Sequence, residues 1–446
     1  MKILCVSLGC DKNLVDTEMM LGLLNRDGHT FTDDENEADI IVVNTCCFIN
    51  DAKEESVNTI LEMAELKKTG KCKALIVTGC MAQRYKQEIL DEIPEVDGIL
   101  GTSTYDEISN VLKQALGGEE HISCFHDLNA LPEVETERVI TTGGYYAFLK
   151  IAEGCDKHCT YCIIPSLRGN YRSVPMERLL KEANQLADQG VRELILVAQE
   201  TTLYGVDLYG KKMLPELLHK LAEIPGIYWI RIQYCYPEEI TDELIEAIRT
   251  EEKVCHYLDV PIQHASDRIL KRMGRRTNQA QLREIIGKLR AAVPDIALRT
   301  TMIAGFPGET QEDHEEVMRF VDEMEFERLG VFTYSAEEDT PAATFPDQIP
   351  EEVKEERRDE IMELQQEIAF EKSESMVGRV LDVMIEGKVA DEAAYVGRTY
   401  MDAPNVDGYI FVNSGELFMS GDFVRVKVIG SNDYDLIGEV YDESAE

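Results

Sequence analysis

No run in this chain of 446 residues approaches the roughly 18 consecutive apolar positions that a membrane helix needs, so no span is expected. The opening residues, Met1 to Cys10, carry a short apolar run with no small-residue cleavage site behind it. They read as a first strand and not as a secretion signal. Basic residues are scarce: 45 Lys and Arg face 85 Asp and Glu, a net charge of −40. Nucleic-acid binding draws its affinity from cations at phosphates, so an extended nucleic-acid surface is excluded and only a local basic groove has room. The charge fits a basic protein partner, or simple solubility. Internal repeats and low-complexity tracts are also missing. A hydrophobic share of 44% excludes a disordered chain. The length is too great for one core, and about three domains is the expectation. The expected compartment is the cytoplasm. There, a reducing environment keeps twelve cysteines from serving as disulfides, and any that cluster point to metal or redox work.

Residues 1–117 alternate short apolar runs (Lys2–Leu8, Ile40–Asn44, Ala74–Thr78) with helical patterns (Leu14–Asn25, Ala52–Lys68, Met81–Ile93, Asp106–Leu116). That alternation predicts a parallel α/β sheet. After a polar connection the pattern restarts over residues 141–372. Six candidate strands follow: Ala147–Ala152, Glu193–Ala198, Tyr228–Gln233, Tyr257–Val260, Ala297–Ile303 and Leu329–Thr333. Six β/α units suggest a partial barrel. A charged helix over Pro350–Ser375 leads into short alternating runs at 375–442, a small all-β barrel of about five strands.

The loop after the first of these strands contains Cys155, Cys159 and Cys162, spaced Cys-x-x-x-Cys-x-x-Cys. Three thiolates grip one face of a 4Fe–4S cube and leave one iron open for a small chelating ligand. The competing reading is structural zinc, with His158 or a remote Cys as fourth ligand. The spacing and its place in a β/α barrel resemble the radical S-adenosylmethionine superfamily. That resemblance implies a 4Fe–4S cluster on Cys155, Cys159 and Cys162, with S-adenosylmethionine on its open iron. It further implies cofactor contacts at Tyr161, at Glu200 in Ala198-Gln199-Glu200, and at Ile303, Gly305 and Glu309 in the Gly-Phe-Pro-Gly segment. No catalytic residue beyond the cluster ligands is assigned.

Cys10, Cys46 and Cys80 follow the first, second and third predicted strands. Ligands of open α/β sheets bind at those strand ends, so the three are candidates for a second metal cluster. Each alone would be an ordinary buried thiol. Cys47 stands next to Cys46, and the strand-end spacing does not choose between them. The three-part layout resembles the methylthiotransferases: a cluster domain, a radical S-adenosylmethionine barrel and a C-terminal TRAM barrel. Within that family Gly9-Cys10-Asp11-Lys12-Asn13 is similar to the RimO branch, which acts on ribosomal protein S-twelve. The transfer-RNA branch usually has Gly-Cys-Gln-Met-Asn there. By this resemblance the cofactors are two 4Fe–4S clusters and S-adenosylmethionine, the second cluster being held by Cys10, Cys46 and Cys80. The expected activity is methylthiolation of an aspartate β-carbon in that basic protein, with an external electron donor and no membrane partner. The alternatives are a transfer-RNA methylthiotransferase and a non-catalytic iron–sulfur redox protein. His264 is read as a proton carrier, a substrate contact or a packed structural residue.

Overall fold

The computed structural model describes residues 1–134 and 137–441. The N-terminal sheet is all parallel, in the order β2-β1-β3-β4-β5-β6: β1 (Lys2–Ser7), β2 (Thr30–Phe31), β3 (Ile40–Thr45), β4 (Ala74–Gly79), β5 (Gly98–Leu100) and β6 (Ile122–Cys124). Strands β3 and β4 are buried at every position. Parallel strands covered by helices on both faces need continuous apolar runs, which Ile-Ile-Val-Val and Ala-Leu-Ile-Val supply. The sheet extends past the expected limit at residue 117, because β6 pairs with β5. The helix expected over Met81–Ile93 is two, Cys80–Tyr85 and Gln87–Glu92, broken where Lys86 takes φ +44°.

The second sheet is a partial barrel of six parallel strands in sequence order: β7 (Tyr146–Lys150), then β10 (Glu193–Val197), β11 (Trp229–Ile232), β12 (Val254–Asp259), β13 (Ala297–Ala304) and β14 (Arg328–Thr333). Two short strands, β8 (Ala152–Glu153) and β9 (Arg172–Ser173), pair antiparallel beside it. Helices of the β/α units cover the outside with stripes such as Val317, Phe320, Val321 and Met324.

The C-terminal module is a closed barrel of five strands: β15 (Val380–Lys388), β16 (Ala394–Arg398), β17 (Ile410–Asn413), β18 (Phe423–Asn432) and β19 (Asp435–Val440). Its expected end at residue 442 lies outside the described residues. The segment after β16 closes the barrel mouth at the N-terminal strand ends. Arg398 there pairs with Glu193, Arg231 donates to the Tyr400 carbonyl at 2.6 Å, and Tyr257 donates to Asp407 at 3.1 Å. The opposite mouth faces the N-terminal sheet. Among the described residues no helix is long and apolar enough to cross a membrane.

Candidate active site

The first cysteine triad sits on the loop leaving β8. Gly154 opens it at φ +78°, and a Cβ there would lie 2.1 Å from the Asn170 carbonyl oxygen. Only glycine fits that turn. The loop is tied down on both sides: Cys155 N donates to the Gly169 carbonyl at 3.1 Å, and Thr160 N to that of Met273 at 2.9 Å. The Tyr236 hydroxyl is 3.6 Å from Cys159 Sγ. Burial pushes the Cys155 thiol up to about 11 and Cys162 to about 12, and neighbouring Cys159 adds to both. These thiols stay protonated until a metal takes them as thiolates.

The second triad follows from strand register. Ser7 pairs with Asn44 and Asn44 with Thr78, so β1, β3 and β4 end level. Cys10 then caps the helix Asp11–Arg26, Cys46 follows β3, and Cys80 begins the helix after β4. Asn13 knits these ends together, donating to the Leu8 carbonyl at 3.0 Å and to that of Thr45 at 2.9 Å. Gly9 (φ +87°) rests against Cys46, where a Cβ would come within 2.8 Å of the sulfur. Burial lifts the Cys46 thiol to about 12, with Cys80 and Cys10 close enough to add to it. Cys47 is wholly buried in the hydrophobic layer with Ile41, Val43 and Ile60, although it too feels Cys80.

One buried network joins the triads. Arg168 Nη1 donates to Asp16 at 2.8 Å and Glu153 at 3.2 Å, while its Nη2 donates to Asn13 and lies 3.6 Å from Cys80 Sγ. Lys150 completes the set, pairing with Asp16 and, at 2.7 Å, with Glu153. Glu153 immediately precedes the Gly154-Cys155 turn. The guanidinium that touches one triad therefore braces the loop carrying the other.

The mouth between them holds polar groups without partners. Glu200 is fully buried, its Oε2 has no hydrogen-bond partner among the described residues, and burial pushes its carboxyl up to about 7. Gln233 Oε1 and Arg275 Nε and Nη1 are likewise unpartnered, and the Arg275 guanidinium stacks 4.2 Å from the Tyr236 ring centre. Thr202 N donates to the other Glu200 oxygen at 2.9 Å and Arg275 Nη2 to the Pro261 carbonyl at 2.8 Å, but neither residue has an ion-pair partner within 4 Å among the described residues. A buried carboxylate and a buried guanidinium with free capacity beside one metal-ligand triad suit the amino and carboxylate groups of an amino-acid moiety. Among the described residues no three His, Cys, Asp or Glu converge tightly enough to hold a single ion. A cube spreads its thiolates over separate irons, so such triads suit a cluster better than closed zinc. On these observations the residues fit two clusters and S-adenosylmethionine.

The other sequence candidates divide. Tyr161 and Ile303 pack beside Phe306 and Tyr334 on one wall of the barrel mouth. Gly305 turns at φ +74° against Lys354. Glu309 is occupied by its own loop: it accepts from the amides of Gly305 at 2.9 Å and Phe306 at 3.1 Å, and from Arg357 at 3.0 Å. His264 is buried, accepts from Ser266 N at 2.9 Å and lies 3.4 Å from Glu309. Arg168 and Arg275 are absent from the sequence candidates, because neither stands in a pattern of spacing. A separate cavity of about 200 Å³, near Asp295, Arg328 and Tyr400, lies at the far end of the barrel from the cysteines.

Three family models match in chain order: an uncharacterised protein family, UPF0004, over residues 2–101, the radical SAM superfamily over 149–321, and the TRAM domain over 377–440. A ribosomal protein uS12 methylthiotransferase RimO from Lachnoclostridium phytofermentans is 68% identical over 98% of this chain and 99% of its own length. The protein of that name from Acetivibrio thermocellus is 52% identical over 100% and 99%. Among solved structures, the radical S-adenosylmethionine methyltransferase TsrM from Kitasatospora setae, with cobalamin and a [4Fe-4S] cluster bound, covers 76% of each chain at 13% identity and a TM-score of 0.54. That likeness concerns the fold.

Proposed function

The chain belongs to the ribosomal protein uS12 methylthiotransferase RimO family, and from that premise we propose that it places a methylthio group on the β-carbon of an aspartate of uS12. The reaction draws on two molecules of S-adenosylmethionine, one as methyl donor and one as radical source. The observation that carries this reading is the pairing of two cysteine triads through Arg168, since an enzyme making only a radical needs one. Cys155, Cys159 and Cys162 would hold one 4Fe–4S cluster, and Cys10, Cys46 and Cys80 the other. When bound, these groups supply reductive cleavage of S-adenosylmethionine, which yields a radical able to take hydrogen from an unactivated β-carbon, and the sulfur that replaces it.

The protein's part is to place and shield. Glu200 receives the amino group of S-adenosylmethionine and Arg275 its carboxylate. Tyr161, Ile303 and Gly305 flank the adenosine, while Glu309 fixes the Gly305–Phe306 backbone. Arg168 holds the two ligand loops in one register and keeps water from between them. The electron donor is external.

The choice of a protein substrate over transfer RNA rests on charge. From Met376 onward the chain has five Lys and Arg against fourteen Asp and Glu. One of the five, Arg398, is buried in ion pairs with Glu193 and Glu386. Such a module complements a basic ribosomal protein and repels phosphates. The test is mass spectrometry of uS12, and separately of unmodified transfer RNA, after incubation with the reconstituted enzyme. A methylthio mass gain on uS12 is expected; a gain confined to the RNA would overturn the substrate while leaving the chemistry.

A further inference from the structure

Twenty Lys, Arg, Asp and Glu residues are buried among the described residues, ten of each sign. An ion kept from water needs an opposite partner, and seventeen of the twenty have one within 4 Å. The three that do not are Glu200, Arg275 and Lys12. All three lie around the mouth between the cysteine triads. Glu200 and Arg275 flank the first triad, where the two charges of a methionyl group account for them. Lys12 is left over.

Lys12 stands in the first turn of the helix capped by Cys10 and is only 7% exposed. Its ammonium sits 3.3 Å from the centre of the Tyr234 ring. Tyr234 follows β11 at the same mouth and holds φ +60°, a conformation rarely adopted by a residue with a side chain. The strain is maintained by Thr201 N donating to the Tyr234 carbonyl at 3.1 Å and by Tyr234 N donating to Asp259 at 3.0 Å. Thr201 directly follows Glu200. The ring that carries Lys12 is thus presented from the cofactor side of the mouth, while the lysine comes from the second triad's side. Strain retained at such a place marks a positioned group. A cation–π contact attracts a lysine without neutralising it, so the positive charge stays available to an anion.

We infer that Lys12 receives the side-chain carboxylate of the substrate aspartate and so sets the β-carbon between the triads. This rests on the function proposed above, in which the reacting carbon is one bond from a carboxylate. Asp11 and Cys10 also attract the lysine, without a direct ion pair. A nucleobase adds no charge there and an acidic side chain does, so the same residue favours an acidic side chain over a base.

The test measures binding of fluorescently labelled uS12 to the anaerobically reconstituted enzyme by anisotropy, using uS12 with its target Asp and uS12 with that Asp replaced by Asn. The wild-type enzyme should bind the Asp form about tenfold or more tighter, the scale expected when one member of a buried charge pair is removed. Lys12→Met should erase the preference, and Lys12→Arg should retain it. Equal wild-type binding of the two forms would overturn the inference, and that arm requires no variant to fold. So would a preference that survives in Lys12→Met, or loss of S-adenosylmethionine binding in that variant, which would assign the lysine to the cofactor. Failure of the wild-type enzyme to methylthiolate uS12 at all would instead sink the proposed function.

Discussion

Arg168→Met tests whether the two halves of the site are held together electrostatically. The side chains of Arg168, Lys150, Asp16 and Glu153 are at most 8% exposed, and together they balance two cations against two carboxylates. Methionine keeps most of the volume and removes one cation, so a buried negative charge is left in excess. Breaking a buried pair from one side costs about 3–5 kcal/mol. At about 1.4 kcal/mol per factor of ten, local opening of the joint should become at least about a hundredfold more frequent. Hydrogen exchange followed by mass spectrometry on the reconstituted enzyme reads this directly, in the helix Asp11–Arg26 and the segment Ile164–Arg168. Arg283→Met is the control. Its partner is Glu323, both side chains are more than one-third exposed, and such pairs contribute about 1 kcal/mol or less. If exchange at the joint is no faster in Arg168→Met than in Arg283→Met, the network does not hold the triads in register and the reasoning fails.

Alanine at Cys155, Cys159 or Cys162 should abolish formation of 5′-deoxyadenosine while circular dichroism stays near wild type, because these thiols lie in a loop and not in the barrel core. Replacing Cys10, Cys46 and Cys80 together should preserve 5′-deoxyadenosine but eliminate the methylthio product, so methylthiolated uS12 from this variant would refute the second site. Cys47→Ala should transfer normally and lose about 1 kcal/mol of stability from a small cavity, measured by denaturant unfolding. Glu200, raised by burial from the usual 4.5 to about 7, costs folding stability at high pH. The protonated form is favoured in the folded state, so its stabilisation is complete below pH 4.5 and is lost as pH rises to 7. Glu200→Gln should therefore stabilise the S-adenosylmethionine-free protein by roughly 3 kcal/mol at pH 8 and by little at pH 4.5, while weakening S-adenosylmethionine binding. A stability difference that does not change with pH would contradict this.

Long periodic elements were legible, and short ones were not. The six barrel strands, the stripe of the helix Gln311–Met324 and the charged helix Glu351–Ser375 carry enough residues to display a period. Strands β2, β5 and β6 have two or three residues each, too few for any alternation, and exist because neighbours supply the ladder. Within the site, the cysteines were readable because a metal cluster demands one residue type at set places. Glu309 is held by its own loop's amides, and a glutamate in a tight turn reads alike whether it faces a ligand or those amides. Arg168 and Arg275 were invisible beside the cysteines, because an arginine in sequence gives no sign of whether it is buried or what opposes it.

That blindness bears on the charge argument itself. A net of −40 might have concealed a basic groove had the acidic residues been concentrated inside. They are not: among the described residues the buried charges number ten of each sign, so the excess of described carboxylate lies among groups that reach solvent. Among the described residues cations are proportionally the more buried class, with ten of 45 withdrawn against ten of 81 carboxylates. The solvent-facing surface is therefore more acidic, relative to its cations, than the composition suggests, and long-range attraction extends to basic proteins. Among the described residues the buried charges without an ion-pair partner within 4 Å are one carboxylate and two cations at a single mouth. On the function proposed above, the groups that complement them are the ammonium and carboxylate of S-adenosylmethionine and one further carboxylate. An aspartate side chain brings that last charge to the carbon that reacts, and a nucleobase does not.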